Sequence, residues 1–327
     1  MIDTFVELGN RLEHFSQQTE VIQSAIAANP WFTPHDILRS IEAIRHTMLR
    51  RESIEGWLEH YTPVATPKRV ALIMAGNIPL VGFFDLMCTL LSGNECHLKP
   101  SSKDSVLMRY IIDELRAIRP NIAIYDYSPT EHYDMAIATG GDDANRYFRE
   151  HFATTRHLLR GSRHSIAVLD GSESKEELSA LATDITAYSG LGCRSVSMIF
   201  YPESATPTLA SHPASCPKLE ASLRMRKALL KMQGVEFADL DGYIATHGTQ
   251  FPTTLGEVTL HAYTTLSDVE RWLKEHSEDI QCVVSHLDTL DEHLPFGRTI
   301  AFGSAQYPTL MDYADGVDTM AFLTSEK

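Results

Sequence analysis

The sequence predicts an α/β protein built on parallel sheets and preceded by a run of helices. Three observations predict it. Apolar residues near the start, Phe5, Leu8, Leu12 and Phe15, recur at helical spacing. Residues 69–75 (RVALIMA) form a continuous apolar run, the mark of a strand buried on both faces. From there to about residue 300, strand-like and helix-like stretches alternate, as successive crossovers of a parallel sheet require.

Taken in order, residues 1–60 read as helices. Asn29-Pro30 interrupts them, and Thr33-Pro34-His35-Asp36 opens a second helical stretch with Pro34 in its first turn and Ile37, Ile41, Ile44 and Met48 as its stripe. Residues 61–67 are a turn-rich linker. A strand at 69–75 is followed by a helix at 80–91, closed by Ser92-Gly93-Asn94. Strands are expected at 96–99, 121–127 and 133–139, with a helix at 105–118 ending before Pro120. Gly140-Gly141 then leads into a helix carrying Tyr147 and Phe148. A strand at 165–169 precedes a helix opened by a capping-box spacing, Ser174 to Glu177, and running to about Tyr188. Gly190-Leu191-Gly192-Cys193 breaks that helix, and a strand follows at 196–201. Residues 202–217 form a loop, 218–232 a helix, 258–263 a strand, 267–274 a helix, and 281–284 and 298–302 the last extended stretches. No internal repeat is visible. The expected organisation is a helical segment at 1–62, a sheet domain at 63–170, a second α/β domain at 171–300 and a return segment at 301–327.

A chain of 327 residues, 43% hydrophobic and 22% charged, can bury two cores of ordinary size or one two-lobed core. Its 28 Lys and Arg against 43 Asp and Glu give a formal charge of −15. That balance argues against nucleic acid and anionic membrane surfaces as partners. The densest basic run, residues 45–51, lies in a helical pattern and reads as a solvated face. The first residues lack a charged segment followed by an apolar one, so no secretory signal is expected. No apolar run approaches the ~20 residues that span a bilayer. Five cysteines, irregularly spaced and without a C-x-x-C pair, fit reduced thiols in a cytoplasmic protein.

Four short motifs offer chemistry. Gly190-Leu191-Gly192-Cys193-Arg194 sets a cysteine between a helix end and a strand, on a backbone free to turn sharply, with an arginine that favours a thiolate. A lone cysteine is more often a small buried hydrophobe. Gly76-Asn77-Ile78-Pro79 follows the 69–75 strand, at the carboxyl end where α/β sheets place ligands, and the Asn77 amide can donate to an oxyanion. Asn and Pro are also ordinary turn residues. Lys99-Pro100-Ser101-Ser102, again past a strand, suits a phosphate or ribose, or a plain turn. Thr139-Gly140-Gly141 leaves room for a dinucleotide against the backbone, although no G-x-G-x-x-G occurs. The 15 histidines show no H-E-x-x-H or comparable spacing, so no metal site is expected.

The order of these motifs resembles the aldehyde-dehydrogenase superfamily, and more narrowly the fatty acyl-CoA reductases of bacterial luminescence and their shorter relatives. The stretches that carry the resemblance are AGNIPLVGFFDLMCTLLSGNECHLKPSSKDS, YDMAIATGGDDANRYF and SIAVLDGSESKEELSALATDITAYSGLGCRSVSMIFYP, with Gln306-Tyr307-Pro308 and residues 312–316 near the end. It spans residues 65–323. The resemblance implies an aldehyde-dehydrogenase-like fold, with a cofactor domain on a parallel sheet and a catalytic α/β domain. It implies Cys193 as nucleophile and Asn77 as oxyanion donor. Lys99 and Ser101 would hold the adenosine ribose, with Thr139, Gly140 and Gly141 beside the dinucleotide. Ser102 stands where NAD-preferring relatives often carry a glutamate, which implies NADPH. Glu257 would match, on a poor local fit, a glutamate that holds the nicotinamide ribose. Hydrolytic members carry a carboxylate in an E-L-G-G stretch, but residues 158–163 read LLRGSR, without one. The implied reaction is reduction of an acyl thioester, on CoA or an acyl-carrier protein, to an aldehyde. Two alternatives stand beside it: a thioester transferase without redox chemistry, and a non-catalytic subunit keeping the fold. Residues 60–68 are too few for the usual oligomerising arm, so a homo-oligomer or a partner enzyme subunit is left open.

Overall fold

The computed structural model describes residues 1–294 and 297–325. Pro295, Phe296, Glu326 and Lys327, inside the expected segments 171–300 and 301–327, lie outside the described residues. The chain forms two compact units, Met1–Ser162 with Pro308–Lys327, and Arg163–Tyr307.

The first unit opens with four helices, α1 (Ile2–Leu12), α2 (Thr19–Ala28), α3 (Pro34–Thr47) and α4 (Arg51–Leu58). Thr33 starts α3 as anticipated: its hydroxyl accepts the Asp36 N–H at 3.0 Å and Pro34 occupies the first turn. The sheet follows as β1 (Arg69–Ile73), α5 (Phe83–Leu91), β2 (Glu95–Lys99), α6 (Ser105–Ile118), β3 (Ile124–Asp126), β4 (Met135–Thr139), α7 (Asp142–His151) and β5 (Arg156–Arg160). The strand order is β3-β2-β1-β4-β5, and every pairing is parallel. Phe5, Leu8, Ile37, Leu72, Phe83, Leu86, Ile111 and Leu115 belong to one core, so the amino-terminal helices bury their stripes against α5 and α6. Two expectations change here. The helix after β1 begins at Phe83 and not at residue 80, because Leu80 holds a left-handed φ of 57°. Residues 156–160 form an edge strand that periodicity did not indicate.

The second unit contains β6 (His164–Val168), α8 (Lys175–Thr186), β7 (Val196–Pro202), α9 (Pro217–Gln233), β8 (Ala238–Asp239), β9 (Ile244–His247), β10 (Glu257–Tyr263), α10 (Leu266–Glu275) and β11 (Ile280–Val284). Its sheet runs β11-β6-β7-β10-β9-β8, parallel except for the β8–β9 pair. The domain boundary expected after residue 170 places the 165–169 strand in the preceding domain. The strand's pairing assigns it to this second sheet, between β11 and β7. The stretch at 298–302 contributes one bridge, Ile300 to Val284, and no strand. One sheet face packs Ala167, Leu169 and Ile199 with Leu181 and Ile185 of α8. The other packs Ile166, Val168 and Phe200 with Val269 and Leu273 of α10.

The chain then returns to the first unit, ending in α11 (Thr319–Thr324). Tyr313 accepts the Trp57 indole N–H at 2.6 Å and shares a short hydrogen bond with Tyr61, whose hydroxyl also donates to Asp318 at 2.7 Å. Burial pushes the Tyr61 phenol far above its ordinary value, so it remains a donor. No helix among the described residues is long and apolar enough to cross a membrane.

Candidate active site

Parallel pairing brings most of the predicted residues of the first unit to one sheet edge. Ile73 pairs with Lys99 of β2 and with Ala138 of β4, so the carboxyl ends of three strands finish in one row. Asn77 lies just beyond β1, Lys99 ends β2 with Ser101 and Ser102 after it, and Thr139 ends β4 with Gly140 and Gly141 next. The strand order reverses direction at β1, which makes this edge the crevice side of a doubly wound sheet.

Four contacts hold the Asn77 loop. Asn29 Nδ2 reaches the Gly76 carbonyl at 3.5 Å, and the Ser40 hydroxyl donates to the Pro79 carbonyl at 2.7 Å. Asp104 Oδ2 accepts the Leu80 N–H at 2.8 Å. Gly76 lies so close to the turn after β2 that an added Cβ would stand 2.6 Å from Ser101 Cβ and Oγ. The glycine in Gly-Asn-Ile-Pro is therefore a packing requirement. None of Asn29, Ser40 and Asp104 was singled out from sequence. Their partners are backbone atoms far along the chain, and no local signal reports that.

The cofactor expectations divide. Lys99 and Ser102 are exposed and offer a cation and a hydroxyl with no carboxylate at residue 102. At Gly140 a Cβ would meet the Ala144 Cβ at 2.8 Å, so the absence of a side chain there serves the β4–α7 packing. Gly141 faces open space. The first turn of α7 carries Asp142 and Asp143, and two carboxylates oppose an anion at that helix end. Favourable charge for a phosphate at this edge therefore comes from the Lys99 turn. Asn145 Nδ2 donates to the carbonyls of Gly140 and Arg160, each at 2.7 Å, and ties the Gly140 turn to β5.

In the second unit, Cys193 lies between the end of α8 and the amino end of β7, partly exposed, whereas the other four cysteines are buried. The loop before it is bent by Tyr188, Ser189 and Gly190, with φ of 53°, 57° and 73°. Two of those three carry a Cβ, and such positions concentrate at functional sites. Ser165 of β6 donates its hydroxyl to the Cys193 carbonyl at 2.8 Å and so fixes the backbone of the cysteine itself. Ser165 faces α8, while its neighbour His164 stacks on Phe251, with ring centroids 4.0 Å apart. Burial lowers the pKa of His164.

Glu257 is a correction. Both its oxygens are engaged by Arg226, at 2.7 and 3.0 Å, and Oε1 also accepts the Thr246 hydroxyl at 3.0 Å. It is nearly fully buried, so its carboxylate ties α9 to the sheet and is not displayed to a ribose.

A doubly wound sheet joined to a second α/β unit that carries a strained cysteine loop defines the aldehyde-dehydrogenase fold. Solved structures share it: succinic semialdehyde dehydrogenase from Streptococcus pyogenes, described in complex with NADP+, superposes with a TM-score of 0.63 at 11% identity, over 89% of this chain and 79% of that one. An indole-3-acetaldehyde dehydrogenase, described as complexed with NAD+, gives 0.64 at 14%, over 90% and 74%. Within that fold the chain belongs to the acyl-CoA reductase (LuxC) family, whose model matches residues 27–229, more than half the chain and a stretch that includes Asn77, Lys99 and Cys193. It is 27% identical over 181 residues to long-chain acyl-protein thioester reductase 2 of Photobacterium leiognathi, and 29% over 169 residues to the long-chain acyl-protein thioester reductase of Vibrio harveyi. These matches cover 49% and 45% of this chain, and only 38% and 35% of the relatives.

Proposed function

We propose that the protein reduces an acyl thioester to an aldehyde, using NADPH and a covalent acyl-cysteine on Cys193. The observation that carries this reading is the Cys193 loop, strained, partly exposed and tethered through its own carbonyl by Ser165. Family membership and the thioester reductases among the relatives support the substrate class. The first unit is the dinucleotide-binding part and the second the nucleophile-bearing part.

In this reading the Cys193 thiolate attacks the thioester carbonyl, the C–S bond to the carrier breaks, and the carrier departs as its thiol with one proton. Asn77 is the proposed amide donor to the tetrahedral oxyanion, an interaction whose loss costs about 2.7–4 kcal/mol in comparable sites. Lys99, Ser101, Ser102, Thr139, Gly140 and Gly141 would hold the cofactor, and the chemistry a bound NADPH would supply is hydride. Aldehyde release restores the Cys193 thiolate. Residues 158–163 offer no carboxylate to activate water. Instead, the arginine in that stretch, Arg160, is buried against Asp85 at 2.5 Å. An acyl-cysteine without a hydrolytic base persists until it is reduced or taken by a thiol.

The test is aldehyde formation from NADPH and a panel of acyl-CoA thioesters, with wild type, Cys193→Ala and Asn77→Ala. Cys193→Ala should abolish turnover and the acyl adduct. Asn77→Ala should lower kcat by about 10²–10³ while still forming some adduct. Wild-type turnover by Cys193→Ala overturns the reading.

A further inference from the structure

The second unit carries two consecutive left-handed residues with a Cβ, Tyr188 and Ser189, followed by Gly190 at positive φ, three positions before Cys193. Left-handed residues bearing a Cβ persist only where surrounding contacts over-determine them. Ser189 is held directly by Ser215, hydroxyl to hydroxyl at 2.6 Å, and the ends of the loop are held by a segment more than a hundred positions further along the chain. Asp184, near the end of α8 and 1% exposed, accepts the Gly303 N–H at 2.6 Å and the Ala305 N–H at 3.1 Å. Gly303 lies flat on α8, where an added Cβ would stand 3.1 Å from Ala180 Cβ. This seats Gln306 beneath the loop. Its Nε2 donates to Ser195 Oγ at 3.3 Å, and that hydroxyl donates to the Ala187 carbonyl at 3.4 Å. The Ser195 N–H closes a turn onto the Gly192 carbonyl at 2.9 Å.

Ala187 and Ser195 are the two ends of the loop that contains the strained residues and Cys193. A side-chain relay from Gln306 through Ser195 to Ala187 therefore pins both ends at once. All three polar partners are buried, so water does not replace a lost link without cost. We propose that Gln306 is a positioning residue for Cys193, acting through Ser195, with Asp184 seating the segment that presents it. The inference rests on the reading of Cys193 as nucleophile. It gives the Gln-Tyr-Pro stretch near the end of the chain a specific task.

Gln306→Leu, Ser195→Ala and their combination test it on the full chain. Two readouts are taken: kcat and KM for acyl-CoA reduction, and the rate at which iodoacetamide alkylates Cys193, with Cys193→Ala as the blank. Each single variant should lower kcat by about tenfold to about a hundredfold with KM little changed, and should shift the alkylation rate by a comparable factor. The double variant should be no worse than the more damaging single, because both remove one relay. Wild-type kcat and alkylation in both folded singles overturn the proposal, as does a double variant whose losses multiply. Should Gln306→Leu not fold, Ser195→Ala decides alone by the same two readouts. Turnover retained by Cys193→Ala refutes the nucleophile reading instead, a result separate from any change in alkylation caused by the relay variants.

Discussion

Asp104 and Leu80 are joined by a buried hydrogen bond of 2.8 Å, from the Leu80 N–H to Asp104 Oδ2, at the far end of the loop that carries Asn77. The second carboxylate oxygen is buried without a hydrogen-bond partner. Burial pushes this carboxyl up to about 8 against an ordinary 3.8, with the Leu80 N–H offsetting only part of the cost. The folded state thus keeps a proton that the unfolded chain releases from about pH 4. Stability associated with this group is fully present below the unfolded value and is lost as pH rises through about 8.

Asp104→Asn removes the titration while keeping an acceptor for Leu80. Urea unfolding at pH 5, 6.5 and 8 should show the wild-type midpoint falling more steeply than that of the variant. Parallel profiles would mean that Asp104 is already ionised in the folded protein.

The Arg160–Asp85 pair should dominate the stability of the first unit. Both residues are about 95% buried, Arg160 also donates to Thr319 Oγ1 at 2.7 Å, and Asp85 Oδ1 has no hydrogen-bond partner. Arg160→Met leaves a buried carboxylate alone and should cost about 3–5 kcal/mol. Adding Asp85→Leu removes that orphan and should recover much of the loss. Chemical denaturation of the three proteins measures this, and a double variant less stable than the single would contradict it.

Cofactor choice should turn on Ser102. It is exposed beside Lys99, and a carboxylate there would repel a 2′-phosphate while offering the 2′-hydroxyl an acceptor. Ser102→Glu should shift the ratio of kcat/KM for NADPH over NADH by about tenfold or more towards NADH, the factor that about 1.4 kcal/mol gives. An unchanged ratio would place the 2′-position elsewhere.

These relationships differ in how far the sequence announces them. The 69–75 strand was legible because a strand buried on both faces is apolar throughout. The Ser174 capping box was legible because both of its partners lie within four residues, and the structure forms it as anticipated. β5 was not, because RHLLR ends in charges, and the buried guanidinium of Arg160 is paired with Asp85, 75 positions away. The allegiance of β6 to the second sheet was equally hidden, since periodicity marks a strand but not its neighbours. Within the candidate site, the glycines around Cys193 signalled a turn. The left-handed Tyr188 and Ser189 did not, because residues with a Cβ adopt that conformation only under tertiary constraint. Glu257 shows the converse error, a carboxylate picked for a ligand and engaged by Arg226.

His286, which follows β11, should make the second unit more stable in mild acid than in mild alkali. Its Nδ1 faces Glu177 Oε1 at 3.0 Å, and its Nε2 faces Asp170 Oδ1 at 3.3 Å and Glu173 Oε1 at 3.9 Å. The hydrogen bond to Glu177 is the largest cause of a raised histidine pKa, and the same bond helps hold Glu177 below its usual value. A raised cation contributes stability that is complete below its unfolded value, near 6.5, and that is lost as pH rises through the folded value. Asp170 and Glu177, whose pKa values are lowered, behave oppositely: their share is present above their ordinary values and disappears as pH falls below them. The cluster is therefore strongest between about pH 5 and about pH 6.5. Glu177 also closes the capping box of α8, so this charge cluster bears on the helix that leads to Cys193. Thermal unfolding of wild type and His286→Gln at pH 5.5, 7 and 8.5 should show the largest difference in Tm at pH 5.5 and little at pH 8.5. A difference that grows with pH would mean that His286 is held neutral and stabilises the fold through packing alone.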